Sequence, residues 1–194
     1  MKLLSEMSLQ ELWQLFPIVL TEHRTQWDDW YAGEARRLRA LLPASRIVRL
    51  SHIGSTAIPG IWAKPIVDML LETAPDGSLE ALGEALCEAG YRRMSQSDGR
   101  LSLNRGYTER GFAERVFHLH VRHCGDHDEL LFRDYLREHP QKAKEYEALK
   151  LSLWKPYEHD RDGYTAAKTP FIRGCMEEAR RMYAGRYDAP ARPE

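Results

Sequence analysis

The sequence predicts an α+β fold, a small β-sheet flanked by helices with a helical C-terminal third. Three features predict it. The runs Ile47–Ile53, Pro65–Glu72 and Val116–Val121 are rich in β-branched and apolar residues and read as strands. Apolar residues recur at spacings of three and four through 25–42 and 78–89, as on one face of a helix. From Asp128 onward three helical patterns follow one another with no strand between them.

Taken in order, Ser8-Leu9-Gln10-Glu11 has the spacing of a capping box and opens a helix over Leu9–Phe16, stopped by Pro17. Its buried side is Leu12, Trp13 and Phe16. Thr25–Leu42 is the next helix, with Trp27, Trp30, Tyr31, Ala35, Leu38 and Leu42 on one face and Pro43 beyond its end. After the first two strands, Pro75-Asp76-Gly77 is a turn. Ser78–Ala89 is a helix that ends at Gly90. Tyr91–Met94 and Leu101–Leu103 are short strands around a Ser-Asp-Gly turn. The glycines and alternating charges of Arg105–Arg115 predict a mobile loop. The last helices span about 128–138, 140–154 and 164–183, with Pro140 at the first position of its helix. The expected division is a helical extension over 1–20, one domain over 21–184 and a disordered tail over 185–194.

A chain of 194 residues with 43% hydrophobic and 29% charged residues is long enough for one domain with a substantial core. Net charge is −1, which gives no global attraction to nucleic acid or to an anionic membrane. No apolar run approaches the ~20 residues that span a bilayer. The start is amphipathic and acidic rather than a secretory signal, and the three cysteines (Cys87, Cys124, Cys175) form no CxxC pair. The expectation is a reduced, cytoplasmic protein without membrane partners.

Chemistry gathers at three places. Gly54-Ser55 is a turn that suits phosphate, with the Ser55 and Thr56 hydroxyls as donors; the same residues also suit an ordinary turn with Ser55 as a helix cap. Asp68 interrupts the apolar strand Ile66-Val67-Asp68-Met69-Leu70-Leu71, where a buried carboxylate must pair, neutralise or bind a cation. Lys64 or an arginine is the alternative ion-pair partner. Glu72 shares the face of Asp68 but stands ~13 Å away at about 3.3 Å per residue, too far to join it on paired ions ~3.5–4 Å apart. Leu70, at the better spacing, has no ligand. In Phe117-His118-Leu119-His120-Val121 the two histidines project to one face, so Asp68, His118 and His120 make a candidate metal and catalytic set, compatible with Mn, Fe or Zn as well as Mg. His52 is a further candidate, while His123 and His127 are expected in solvent. Lys64, Arg100, Arg105, Arg110 and Arg115 lie beside the predicted sheet rim. Tyr164 and Lys168 fall on one helical face, where Lys168 can close over the site.

Read as a series, these segments resemble the GrpB family. The matching residues are His52-Ile53-Gly54-Ser55-Thr56-Ala57-Ile58-Pro59-Gly60, Ala63-Lys64-Pro65-Ile66-Val67-Asp68 and His118-Leu119-His120-Val121. Further matches are Phe132-Arg133-Asp134-Tyr135-Leu136-Arg137, Tyr146, Leu149-Lys150, Tyr164-Thr165 and Lys168. The likeness covers about Glu22–Tyr183. It implies a nucleotidyltransferase-like fold of the DNA polymerase beta type, with a mixed sheet, and a bacterial protein. In that superfamily a Gly-Ser turn precedes a strand bearing an acidic pair, a later strand brings a third carboxylate, and two magnesium ions serve the triphosphate. Gly54, Ser55 and Asp68 match this pattern. Leu70 does not, and His118 with His120 stands where the third acid is sought. The resemblance therefore implies a nucleotidyltransferase with an incomplete acidic motif. It would use Mg2+ or Mn2+, no organic cofactor, and a nucleotide or phosphorylated small molecule as partner. Gly54, Ser55, Thr56, Lys64, Arg105, Arg115 and Lys168 would hold phosphate. The alternatives are a non-catalytic binder of nucleotides or other anions, and a His/Asp metal-dependent phosphoesterase.

Overall fold

A computed structural model describes residues 2–75 and 77–188. It contains five strands: β1 (Arg49–Ile53), β2 (Val67–Thr73), β3 (Arg92–Ser97), β4 (Arg100–Thr108) and β5 (Gly111–His123). Six α-helices accompany them: α1 (Leu9–Leu15), α2 (Gln26–Leu41), α3 (Leu79–Glu88), α4 (Asp128–Glu138), α5 (Pro140–Trp154) and α6 (Arg161–Met182). The strands form one mixed sheet in the order β1-β2-β5-β4-β3, in which only β2 and β5 run parallel. This is the expected α+β class.

Strand alternation divides the sheet into two unlike faces. Val67, Met69 and Leu71 of β2, with Phe117, Leu119 and Val121 of β5, point to one side. There they meet Trp27, Ala35 and Leu38 of α2 and Leu82 and Leu86 of α3 in the largest apolar core. Asp68, Leu70, His118 and His120 point to the other side. Leu70 is fully buried there against Ile53 and Leu130 of α4. Helices α4, α5 and α6 pack together beyond it around Tyr135, Tyr146, Met176 and Ala179.

Capping residues place several helix ends as the sequence predicts. Ser8 accepts from the Glu11 amide at 3.2 Å and Glu11 answers at the Ser8 amide at 2.6 Å, which closes the capping box. Ser78 caps α3 through the Ala81 amide.

Three expectations change. Arg105–Arg115 is not a mobile loop but the end of the long β4–β5 hairpin. Its ribbon is anchored by Tyr107 and Phe112 against Phe16, whose ring centroid lies 4.7 and 5.0 Å from theirs. Gly106 marks a register shift in the ladder. At φ +95° its Cα hydrogen faces Arg115, and a side chain would run into that carbonyl. The first twenty residues do not stand apart: Phe16, Ile18 and Leu20 are buried, the Ile18 amide donates to Glu158, and Thr21 bridges to Ala63. Gly185–Asp188 of the expected disordered tail is a turn in which Tyr187 packs on the core. The rest of that tail, like Asp76 of the expected turn, lies outside the described residues.

Candidate functional site

The parallel pairing of β2 and β5 builds the centre of the site. Its register sets Asp68 beside His118 and Leu70 beside His120, so one strand supplies a carboxylate and the other two imidazoles. Asp68 Oδ1 lies 3.1 Å from His118 Nδ1 and 3.8 Å from His120 Nε2. The three side chains each offer one ligand atom, all within 4.8 Å of one another. Burial of Asp68 would raise its pKa, but the hydrogen bond with His118 and the nearby His120 imidazole outweigh it and hold the carboxyl well below the usual range. It stays ionised at any ordinary pH.

Gly54 closes over that carboxylate. Its φ of +69° is a conformation that L side chains rarely adopt. A Cβ here would overlap a carboxylate oxygen of Asp68 and stand 2.9 Å from its Cβ and Cγ. The glycine is thus required by a close approach between turn and acid.

Behind His118 stands a relay the sequence did not suggest. Its Nε2 is 2.8 Å from the Tyr107 hydroxyl, which accepts from Arg161 at 3.0 Å. With the guanidinium donating to Tyr107, the phenol proton is free to face His118 Nε2, leaving Nδ1 to carry the proton shared with Asp68. Tyr107 lay in the expected loop, and Arg161 one turn before the expected start of α6. Neither carried a local signal.

The cluster lies in a cleft of about 940 Å³ whose lining includes Gly54, Ser55, Lys64, Lys168 and Arg161. Two ammonium groups share one aromatic ring: Lys64 Nζ is 4.6 Å and Lys168 Nζ 4.3 Å from the Tyr164 centroid. Burial, then the neighbouring charges of Lys168 and Arg161, lowers Lys64 to about 7. Burial lowers Lys168 to about 8, against the pull of Asp68. Lys150, deeper in the cleft over Tyr146, is lowered to about 7 by burial and then by Lys168. Cations crowded this closely in low dielectric favour an anion among them.

The turn that carries Gly54 and Ser55 is stapled from the helical layer. Arg137 donates to the Ala57 carbonyl at 2.7 Å and Lys144 to that of Gly60 at 2.7 Å. Lys150 donates to the Trp62 carbonyl, and the Trp62 amide donates to Glu147 at 2.6 Å. Arg133 reaches the His52 carbonyl at 2.9 Å while binding Asp134 and Tyr187, so the Arg133-Asp134 pair braces the turn's entrance.

Several candidates do not join the centre. Thr56 is buried and spends its hydroxyl on the Ile66 carbonyl and His52 Nε2. His52 faces α2, stacked on Tyr31 and 3.3 Å from Asp28; burial lowers its pKa to about 4, so it stays neutral. Arg105 is on the opposite face, bound to buried Glu34 at 2.6 Å, because it shares the register of Phe117 rather than His118. Arg115 is exposed over Trp30. Arg100 pairs with Asp126 at the far end of β4. Glu72 pairs with Arg49 and with His127, which is therefore not in solvent.

The sequence matches the family described as GrpB protein over residues 17–178. It is 32% identical to the protein YqkA of Bacillus subtilis over 187 residues, which cover 93% of this chain and 53% of YqkA; the chain thus spans about half the length of that relative. The crystal structure of the conserved protein GrpB from Enterococcus faecalis matches 85% of this chain and 99% of its own, with a TM-score of 0.74 and 29% identity. A chain of the Cid1 poly(U) polymerase, with Mg 3'-dATP bound, matches 74% of this chain and 43% of its own at a TM-score of 0.46 and 11% identity.

Proposed function

We propose that this chain, which belongs to the GrpB family, binds a divalent cation together with a phosphorylated ligand of the nucleotide class, and acts on its phosphate groups. The observation that carries this reading is the convergence of Asp68, His118 and His120 on the floor of a cleft walled by Lys64, Lys168 and Arg161.

The donor set fits one cation. Two imidazoles and a carboxylate suit Mn, Fe or Zn better than Mg, which prefers oxygen ligands. With a cation bound, His118 would release its Nδ1 proton and donate Nε2–H to the Tyr107 hydroxyl, the support a ligating imidazole requires. Leu70 is packed against Leu130 and offers no donor, so the residues favour a single ion over a pair. Bound there, a cation would polarise a phosphoryl oxygen. The chain's own groups do the remaining work. Lys64, Lys168 and Arg161 neutralise phosphate charge, and Ser55 lines the same wall. Asp68, ionised and acceptor-only, orients both imidazoles.

Metal analysis and calorimetry test this reading. Purified protein loaded with Mn2+ is expected to retain about one equivalent and to bind ATP only in its presence. His118→Ala and His120→Ala are expected to lose both properties. A chain that takes up no Mn2+, Zn2+ or Fe2+ would overturn it. NTP hydrolysis or label transfer to an acceptor, dependent on Asp68, separates an enzyme from a binding protein. The imidazole-rich donor set favours phosphoester hydrolysis as the second reading, and turnover of a phosphomonoester without an NTP distinguishes it.

A further inference from the structure

The cleft has a second chamber. A slot of about 160 Å³ lies between the N-terminal segment and the β4–β5 hairpin, with Phe16, Val19, Trp30 and Phe112 among its walls. Lys64, Ile66 and Arg161 line both the slot and the cleft, so the two spaces meet at two of the cations assigned to phosphate. The slot holds the volume of about five waters at roughly 30 Å³ each, room for a single ring system and far less than a whole drug-sized ligand fills. Its walls are aromatic and aliphatic, while Arg24 and Glu114 bring polar groups to the same space. Flat apolar faces with a few polar groups at the edge are what a planar heterocycle uses.

The geometry points to the slot as the seat of the ligand's nucleobase, with the phosphate chain passing Lys64 and Arg161 into the metal cleft. This deepens the reading above and rests on it. It assigns a role to Phe112 and Glu114 of the hairpin and to the residues around Phe16, none of which lines the metal cleft. It also explains why Arg161 is placed at the junction: the same guanidinium that fixes Tyr107 marks the border between the two chambers.

Paired titrations separate the two proposals. With Mn2+ present, ATP and inorganic tripolyphosphate are titrated into the full chain and into two variants. Val19→Trp narrows the slot from a position 39% exposed, where folding tolerates the change; Trp30→Ala removes a wall. The expected result is ATP binding at least tenfold tighter than tripolyphosphate in the unaltered chain. Both variants should bring ATP down to the tripolyphosphate level and leave tripolyphosphate itself within twofold. Equal binding of the two ligands by the unaltered chain, or an ATP advantage that survives Val19→Trp, overturns the nucleobase slot while leaving the phosphate cleft standing. Failure of both ligands to bind overturns the cleft reading and the slot with it.

Discussion

Replacing Gly54 by alanine puts the geometry of the site to a quantitative trial. The residue sits at φ +69°, ψ −172°, a region essentially confined to glycine. Forcing a side chain there costs on the order of 1–3 kcal/mol. The new methyl would also collide with the Asp68 carboxylate. Asp68 must then turn away from His118, giving up a charge-assisted hydrogen bond of about 1.5–3 kcal/mol. The sum is about 2.5–6 kcal/mol. At roughly 2–4 °C per kcal/mol for a domain of this size, melting should fall by about 5–24 °C. Gly60 is the internal control. Its φ is +73°, but a Cβ there meets nothing within 4 Å. Gly60→Ala should cost only the backbone strain, about 1–2 kcal/mol. Differential scanning calorimetry gives the stabilities, and Mn2+ titration should show at least a tenfold loss in Gly54→Ala alone. If the two variants melt together and bind metal alike, the close approach of turn and acid is not what makes Gly54 a glycine.

Two further outcomes follow from the charges. Lys64 is lowered to about 7 from an ordinary 10.5, so between those values the unfolded chain holds more protons than the folded one and stability rises with pH. Below pH 7 the full cost of burying the ammonium remains, on the order of 5 kcal/mol at about 1.4 kcal/mol per pKa unit. Urea titrations from pH 6 to 10 should show a rise that flattens in Lys64→Met, and an unchanged slope in the variant would contradict the assignment. Arg105→Ala should destabilise the chain by roughly 1–3 kcal/mol by removing one partner of buried Glu34, which keeps Arg37 and Tyr91. Because Arg105 is on the other face of the sheet, ATP affinity in calorimetry should stay within twofold; a larger loss would place it in the site after all.

Much of the site was legible because strand alternation is strict. A single acid in an apolar strand and two histidines two residues apart each define a face, and the parallel register joins those faces. Helix ends were legible where capping or proline chemistry is local, as at Ser8, Ser78 and Pro140. What stayed hidden depends on partners distant in sequence. The ribbon from Arg105 to Arg115 reads as a loop because its glycines and charges break the pattern. Contact with Phe16, some ninety residues earlier, makes it a hairpin. His52 looked available and His127 looked solvated because nothing in sequence announces that Asp28 and Glu72 await them. Lys150 entered only through the family likeness, and its role in holding the Trp62 carbonyl comes from packing between α5 and the turn.

The one parallel strand pair has a consequence for assembly. Asp68 and His118 become neighbours only after the chain has made an excursion through a helix and two more strands and returned. Contacts of such long sequence separation close late, since loop entropy must be overcome first. Asp68 therefore meets the local pair His118 and His120 late in synthesis, and the full set proposed for a cation does not exist before the sheet closes. Acquisition of the ion would mark the end of folding, so its uptake rate is itself a clock for completion of the sheet.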